Sequence, residues 1–489
     1  MIKPEYVACD FGAESGRLIL GSLEKGKLQL KELHRFENPQ VKAIGHYHWD
    51  ILHLFRELKN GLARAAAQGH TNLTGIGVDT WGVDFGLLDE DGELIGNPVC
   101  YRDPRTEGIM EEVFKLVPRN EVYNITGIQF IQFNTIYQLF SMRNTARMKS
   151  ARTMLHMPDL FNYMMTGKKV SEYTIASTSQ LLDVSTRTWS TELLNKLGLP
   201  EEIMPPLVQP GSIVGTLLPD IMEETGLGPV PVIAPACHDT AAAVAAVPAE
   251  GEDWAYLSSG TWSLIGVELD KPCVNDFSRK SNFTNEGGVN NKIRFLKNNM
   301  GMWILEECRR SWKKAGMKPG YEEIIKQASE AVPFRSVIDP DHISFLKPDD
   351  MPLAISEFCR KTGQQAPDSI GSQARCIFES LALKYRFLIE GINRIRGNKI
   401  KKLHIVGGGS RNEMLNQYTA DSLGIPVTAG PVEATAIGNI IMQAIATGHL
   451  ENLAEGRRMV RDSFPVKNFE PRDSIPWQEA FLRCSRLFS

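Results

Sequence analysis

Short apolar runs interrupted by glycine-rich turns set the rhythm of this chain. Tyr6, Val7 and Ala8 lead into CDFGAESGR (Cys9 to Arg17), and Leu18, Ile19 and Leu20 follow it, a pattern that predicts strand, tight Gly/Ser turn, strand. AYLSSGTWSLIGVEL (Ala255 to Leu269) has the same form and can be laid on Val7 to Gly21, with Gly12 on Gly260, Ala13 on Thr261 and Ser15 on Ser263. The two copies lie about half a chain apart, which predicts two related domains, over residues 1–247 and 248–489.

Between these hairpins the pattern is that of an α/β chain. Ile51, Leu54, Phe55, Leu58, Leu62 and Ala65 recur at helical spacing behind Asp50, an N-cap candidate. LTGIGVD (Leu73 to Asp79) predicts a strand, and VDFGLLDEDGELIG carries Asp91-Gly92 as a hairpin signal. KKLHIVGGGSRNEMLNQYTADSLG predicts a buried strand, a triple-glycine turn and a helix that stops at Gly424. Pro205, Pro206, Pro229, Pro231 and Pro235 mark loops, and Asp473 to Ser489 predicts a terminal helix.

Composition narrows the function classes. A chain of 489 residues is too long for one core and fits two to three domains. With 54 basic and 58 acidic residues and no long run of one sign, it offers no surface for nucleic acid or a charged membrane. No apolar stretch reads as a signal peptide or membrane span, so a soluble, cytoplasmic protein is expected, with the choice between monomer and homodimer left open. The 8 cysteines are scattered without a Cys-x-x-Cys pair, against a disulfide framework or zinc site; Cys359 and Cys376 could pair only if the fold brought them together. His46 and His48 in HYHWD have no carboxylate cluster beside them and predict a surface loop, and Cys237 predicts a small buried residue.

Several nucleotide-binding devices can be excluded. There is no Gly-x-x-x-x-Gly-Lys-Ser/Thr loop, and the dinucleotide fingerprint fails at Asn412, where a third glycine would be needed. That removes the main support for an NAD-dependent oxidoreductase. Asp10-Phe11-Gly12 lacks the surrounding protein-kinase motifs. What remains is a pair of Gly/Ser turns able to offer backbone N–H groups to phosphate, and a triple glycine where backbone can lie flat on adenine or ribose.

DFGAESGR, PACHDTAAAV (Pro235 to Val244), SSGTWSLIG (Ser258 to Gly266) and VGGGSRN (Val406 to Asn412) occur in the order found in the FGGY carbohydrate kinases, and the chain resembles that family over nearly its whole length. The resemblance implies an α/β protein of two ribonuclease-H-like domains, of the actin, Hsp70 and hexokinase superfamily, closing over ATP and Mg²⁺ in an interdomain cleft. VDTWGVDFGLLD, YRDPRT, TGIQFIQFNTIYQL and GPVEATAIGN are most similar to the branch that phosphorylates the 1-hydroxyl of L-rhamnulose. L-fuculose, L-ribulose, D-xylulose and glycerol kinases of the same family stay as alternatives, and an actin- or Hsp70-like ATPase switch as a distant one.

Asp239 in CHDTAAAV, a carboxylate at the start of an Ala-rich helix, reads by itself equally as a cap or as the acceptor of a hydroxyl proton; the resemblance implies the acceptor. It also implies sugar contacts for Gly82, His238, Asp239, Thr240 and Asn298, and Mg²⁺ at Asp10. Nucleotide contacts are implied for Ala13, Glu14, Ser15, Gly16, Arg17, Thr261, Glu306 and Gly408, although Glu306 replaces the family's glutamine. A carboxylate about 4 Å from a phosphate charge costs ~4 kcal/mol at an effective dielectric near 20, so Glu14 is expected to face away from phosphate, toward Arg17 or another cation, or to reach the site only through Mg²⁺ and water.

Overall fold

The apolar runs form strands whose buried faces are covered by helices. In the computed structural model, which describes residues 3–488, the principal elements of the first half are β1 (Glu5–Phe11), β2 (Ser15–Glu24), β3 (Lys27–Glu37), α1 (Ile51–Ala67), β4 (Gly75–Thr80), β5 (Ser212–Thr216), β6 (Pro231–Ala234) and α2 (Asp239–Ala245). The second half contributes β7 (Trp254–Ser259), β8 (Trp262–Leu269), β9 (Ile293–Met300), α3 (Trp303–Lys314), α4 (Ile370–Arg396), β10 (Lys402–Val406), α5 (Glu413–Leu423), β11 (Val427–Ala429), α6 (Ala434–Ala446), β12 (Lys467–Phe469) and α7 (Ile475–Cys484).

Two sheets share one topology. In the first, the order is β5-β6-β4-β1-β2-β3, with β1 antiparallel to β2, parallel to β4, β4 parallel to β6, and β6 antiparallel to β5. In the second, β8-β7-β10-β11-β12 repeats that succession: antiparallel, parallel, parallel, antiparallel. The repeat expected from two hairpins therefore extends over five strands. The hairpins themselves differ by one residue: Phe11 pairs with Gly16, whereas Ser259 pairs with Ser263. Beyond the glycine the equivalence is accordingly Gly16 with Ser263, one position off the ungapped overlay, because the first turn is one residue longer.

The chain divides into two compact units that are discontinuous in sequence. The first comprises residues up to Pro248 with Glu268–Phe295 and Ala434–Phe464; the second comprises Ala249–Val267, Leu296–Glu433 and the residues from Pro465 on. A single division at 247/248 would put Ala434–Phe464 in the second. The reason it joins the first is α6, an almost wholly apolar helix that packs on β1, β4 and α2.

Local signals act where expected. Asp50 caps α1 by accepting from the His53 N–H at 3.1 Å, and Gly424 ends α5 at φ 66°. Pro231, expected in a loop, is instead the first residue of β6, a position where a strand needs no N–H from it. The Asp91-Gly92 turn forms, but the Phe85–Leu88 strand preceding it pairs mainly with Thr153–His156. His46 and His48 lie in a short strand, not a loop, and His46 Nδ1 stands 3.0 Å from the buried Asp103 carboxylate. The eight cysteines are free, seven of them buried; the Cys359 thiol is lowered by a hydrogen bond with that of Cys376, so the fold does bring the two together.

Candidate active site

Three carboxylates gather at the carboxyl ends of adjacent parallel strands, where open α/β sheets bind ligands. Asp10 and Asp79 are register partners on β1 and β4, and Thr80 bridges His238 in the line of β6, which brings Asp239 to the same edge. Opposite Asp10 on the hairpin is Arg17, whose Nε and Nη2 both donate to Asp10 Oδ2 at 3.0 and 2.8 Å. Arg17, a cation expected near Glu14, thus pairs with Asp10. Glu14 itself is exposed at the turn, where its carbonyl accepts from the Asn38 N–H.

Asp239 is the first residue of α2, and the cap position belongs to His238. Its Oδ1 accepts from the Thr240 N–H at 2.6 Å, with the Thr240 hydroxyl at 3.2 Å. Burial, then the charge of Asp10, pushes its carboxyl up to about 7. Asp79 is also pushed up, by burial and by Asp10; its Oδ2 accepts from Asn439 on α6 at 2.6 Å, and its Oδ1 is buried without a hydrogen-bond partner.

The backbone entering this corner is held from behind. Glu172, wholly buried, accepts from the Cys237 N–H at 3.1 Å and from the Thr174 hydroxyl, and that hydroxyl accepts from the His238 N–H at 3.2 Å. Cys237 is buried with its thiol well above the ordinary range, chiefly through burial, as suits a packing residue. His238 Nδ1 lies 2.9 Å from Arg294 Nη2, which also donates to Glu286, and His238 Nε2 stands 3.3 Å from Asp239 Oδ1. Gly82 follows Trp81, a buried indole that donates to Asp84; a Cβ at Gly82 would meet the Thr178 side chain at 3.2 Å.

Within the second unit the β7–β8 turn carries Thr261, whose carbonyl accepts from the Gly301 and Trp303 N–H groups, and α3 starts there. Glu306, one turn into α3, accepts from Arg309 through both oxygens. Asn298, implied as a sugar contact, sits in β9. The three glycines after β10 separate cleanly: Gly407 has φ 83°, a Cβ on Gly409 would come 2.0 Å from Ser259 Oγ, and a Cβ on Gly408 would meet nothing within 4 Å. Two are required by the fold. The middle one is not, so its bare backbone is available to a flat ligand. Gly16 resembles Gly409 instead: its Cα packs on the Phe36 ring, and a Cβ would come within 2.3 Å.

Asp79, Arg294, Glu286, Glu172 and Asn439 had no assigned role from sequence. Arg294 left a faint signal, a charge inside the apolar strand run IRFL. The others have none without the register.

Two sheets that share a five-strand succession, each with a Gly/Ser turn in its first hairpin, and an acidic corner with a helix-initial aspartate define a ribonuclease-H-like phosphotransferase architecture. The family models for the N-terminal and C-terminal domains of the FGGY carbohydrate kinases match residues 5–246 and 255–447, and the chain belongs to that family. It is 48% identical over 483 residues to the rhamnulokinase of Bacteroides thetaiotaomicron, covering 98% of this chain and 99% of that one. It is 42% identical to the rhamnulokinase of Bacillus subtilis, covering 96% of each. Among solved structures, a ligand-bound xylulose kinase from Lactobacillus acidophilus superposes with a TM-score of 0.81 at 17% identity, over 99% of this chain and 97% of that one. A Plasmodium falciparum glycerol kinase with ADP gives 0.79 at 14%, over 99% and 97%. At such identities these two speak for the fold. No described helix is long and apolar enough to cross a membrane.

Proposed function

We propose that this carbohydrate kinase transfers the γ-phosphoryl group of ATP to the 1-hydroxyl of L-rhamnulose, with Asp239 accepting the hydroxyl proton. The observation that carries the chemistry is the placement of Asp239: first residue of α2, at the carboxyl edge of the sheet, with a carboxyl pushed up to about 7 by burial and Asp10. A base is most effective when its pKa lies near the working pH. The naming of full-length relatives as rhamnulokinases supports the particular ketose. Transfer breaks the sugar O–H bond, and the proton passes to Asp239. His238, Thr240, Gly82 and Asn298 are the proposed sugar contacts; Ala13 to Arg17, Thr261, Glu306 and Gly408 are the proposed nucleotide contacts.

Mg²⁺ fits the acidic corner. Asp79 Oδ1 is a buried oxygen without a partner, and the charge of Asp10 raises the proton affinity of both Asp79 and Asp239, while Arg17 pairs with Asp10. Mg²⁺ keeps water and takes only one or two carboxylates, so Asp10 with Asp79 would suffice. Bound there, Mg²⁺ would neutralise phosphate charge; Asp10 would hold it, directly or through water.

An ADP-release assay with L-rhamnulose, L-fuculose, L-ribulose, D-xylulose and glycerol tests the substrate. L-rhamnulose is expected to have the highest kcat/KM, and a higher value for any other sugar replaces it. In the same assay Asp10→Asn lowers kcat, while Glu14→Gln changes the ATP KM by less than about threefold; a large loss from Glu14→Gln would mean that its carboxylate faces the reactants. Gly408→Ala keeps the melting temperature, because its Cβ enters open space. It raises the ATP KM about 10-fold, a loss of ~1.4 kcal/mol. An unchanged KM would remove Gly408 from the nucleotide site.

Titration of Asp239 gives activity and stability opposite slopes. Its folded value of about 7 lies above the ordinary ~3.9, so the native chain retains a proton that the unfolded chain has already released. Its contribution to stability is full below the ordinary value and is lost as pH rises through about 7. Over the same interval kcat/KM for the sugar should climb, with an acid limb centred near 7. A flat kcat/KM between pH 5.5 and about 8 would contradict this.

A further inference from the structure

The ring of His238 is held by a buried cation that the proposed chemistry does not use. Arg294 is fully buried on β9, its Nε donating to the Gly287 carbonyl at 2.8 Å and its Nη2 to Glu286 Oε2 at 2.9 Å. These two anchors fix the guanidinium plane. The same Nη2 faces His238 Nδ1 at 2.9 Å. A guanidinium carries only donors, so an Nδ1 facing it at that distance must accept, and the ring proton must sit on Nε2. Nε2 is the atom 3.3 Å from Asp239 Oδ1.

We infer that Arg294, anchored by Glu286 and Gly287, is a positioning residue that locks His238 as the neutral Nε2–H tautomer, so that His238 presents a donor edge to Asp239 and cannot itself take the substrate proton. The lock removes the ring as a proton acceptor. With Nδ1 engaged and Nε2 already protonated, the ring offers no site for the proton of the sugar hydroxyl, which passes to Asp239, while the Nε2–H steadies that carboxylate or a neighbouring substrate oxygen. Burial and the charge of Arg294 both drive His238 well below the ordinary histidine range, in keeping with a neutral ring. The groups that face the ring and its aspartate are Arg294 and Glu286, with Glu286 Oε2 3.5 Å from Nδ1, together with Asp10 and Thr240 around Asp239. Glu286 competes for a proton on Nδ1, and the lock depends on Arg294 occupying that side.

This inference rests on Asp239 being the base, but its test does not use turnover alone. In the full-length protein with ¹⁵N-labelled histidine, the His238 ring signals are assigned by their loss in His238→Gln. They are expected to show the Nε2–H tautomer, with any titration moved well below the ordinary ~6.5. The Nδ1–H tautomer, or a titration near the ordinary value, overturns the lock. In Arg294→Gln the ring should titrate at higher pH than in wild type and kcat should fall roughly 10-fold, with the acid limb of kcat/KM moved to higher pH; Arg294→Lys, which keeps charge but not the fork, should restore the limb only in part. A folded Arg294→Gln whose ring and acid limb both match wild type also overturns it. Should Arg294→Gln not fold, the wild-type tautomer decides. Full turnover in Asp239→Asn would defeat the base assignment and leave the tautomer result standing, so the two failures are distinguishable.

Discussion

Asparagine at position 239 should leave the protein folded and lower kcat by ~10²–10⁴-fold, the usual contribution of a positioned general base. The fold survives because the amide oxygen of asparagine can still accept from the Thr240 N–H, the bond that Asp239 Oδ1 makes at 2.6 Å. Above pH 7 the variant should melt no lower than wild type, since it removes a half-buried carboxylate that is costly to ionise beside Asp10. Sugar-dependent ADP release and thermal unfolding at pH 8, measured on the same preparation, check both statements. Near-normal turnover would take the proton acceptor away from Asp239.

Gly438→Ala should be the most damaging substitution for stability among those considered. An added Cβ would lie 1.8 Å from the Ala242 carbonyl oxygen and 2.6 Å from its carbon, far inside any tolerated contact, and both atoms belong to the backbone of α2. Relief requires α6 and α2 to move apart. Overpacking of this kind costs ~1–3 kcal/mol or more, which corresponds to roughly 6–12 °C in melting temperature at the upper end. Because α2 begins at Asp239, kcat should fall as well, through displacement of the base and not through loss of any chemical group. A melting temperature within about 1 °C of wild type would show that the helices yield without cost.

Much of this site was legible in the chain, for local reasons. A Gly/Ser turn between two apolar runs makes a hairpin wherever it occurs, and DTAAAV starts a helix because the carboxylate meets unpaired N–H groups while alanine favours the helix behind it. The triple glycine was legible as a unit but not in its parts: Gly407 and Gly409 are explained by a left-handed backbone and by the approach of Ser259, and only Gly408 is left for a ligand. Arg17 was legible as a cation near the first turn. That it pairs with Asp10 follows from the cross-strand register, which places the two opposite one another.

The amino-acid sequence alone determined the strands and helices, the repeated hairpin, and the position of Asp239 at a helix start, because each depends on periodicity or turn chemistry within a few neighbouring residues. The tertiary structure decided which of those residues meet. Asp10 and Asp79 are neighbours through parallel register, Arg294 reaches His238 from 56 residues away, and Asn439 reaches Asp79 from 360 away. It also returned α6 to the first unit, where a glycine lets the helix lie directly on α2. The physical reason is the same in each case: a buried polar group must find its partner across the fold, and that partner is set by how sheets and helices pack, not by local sequence.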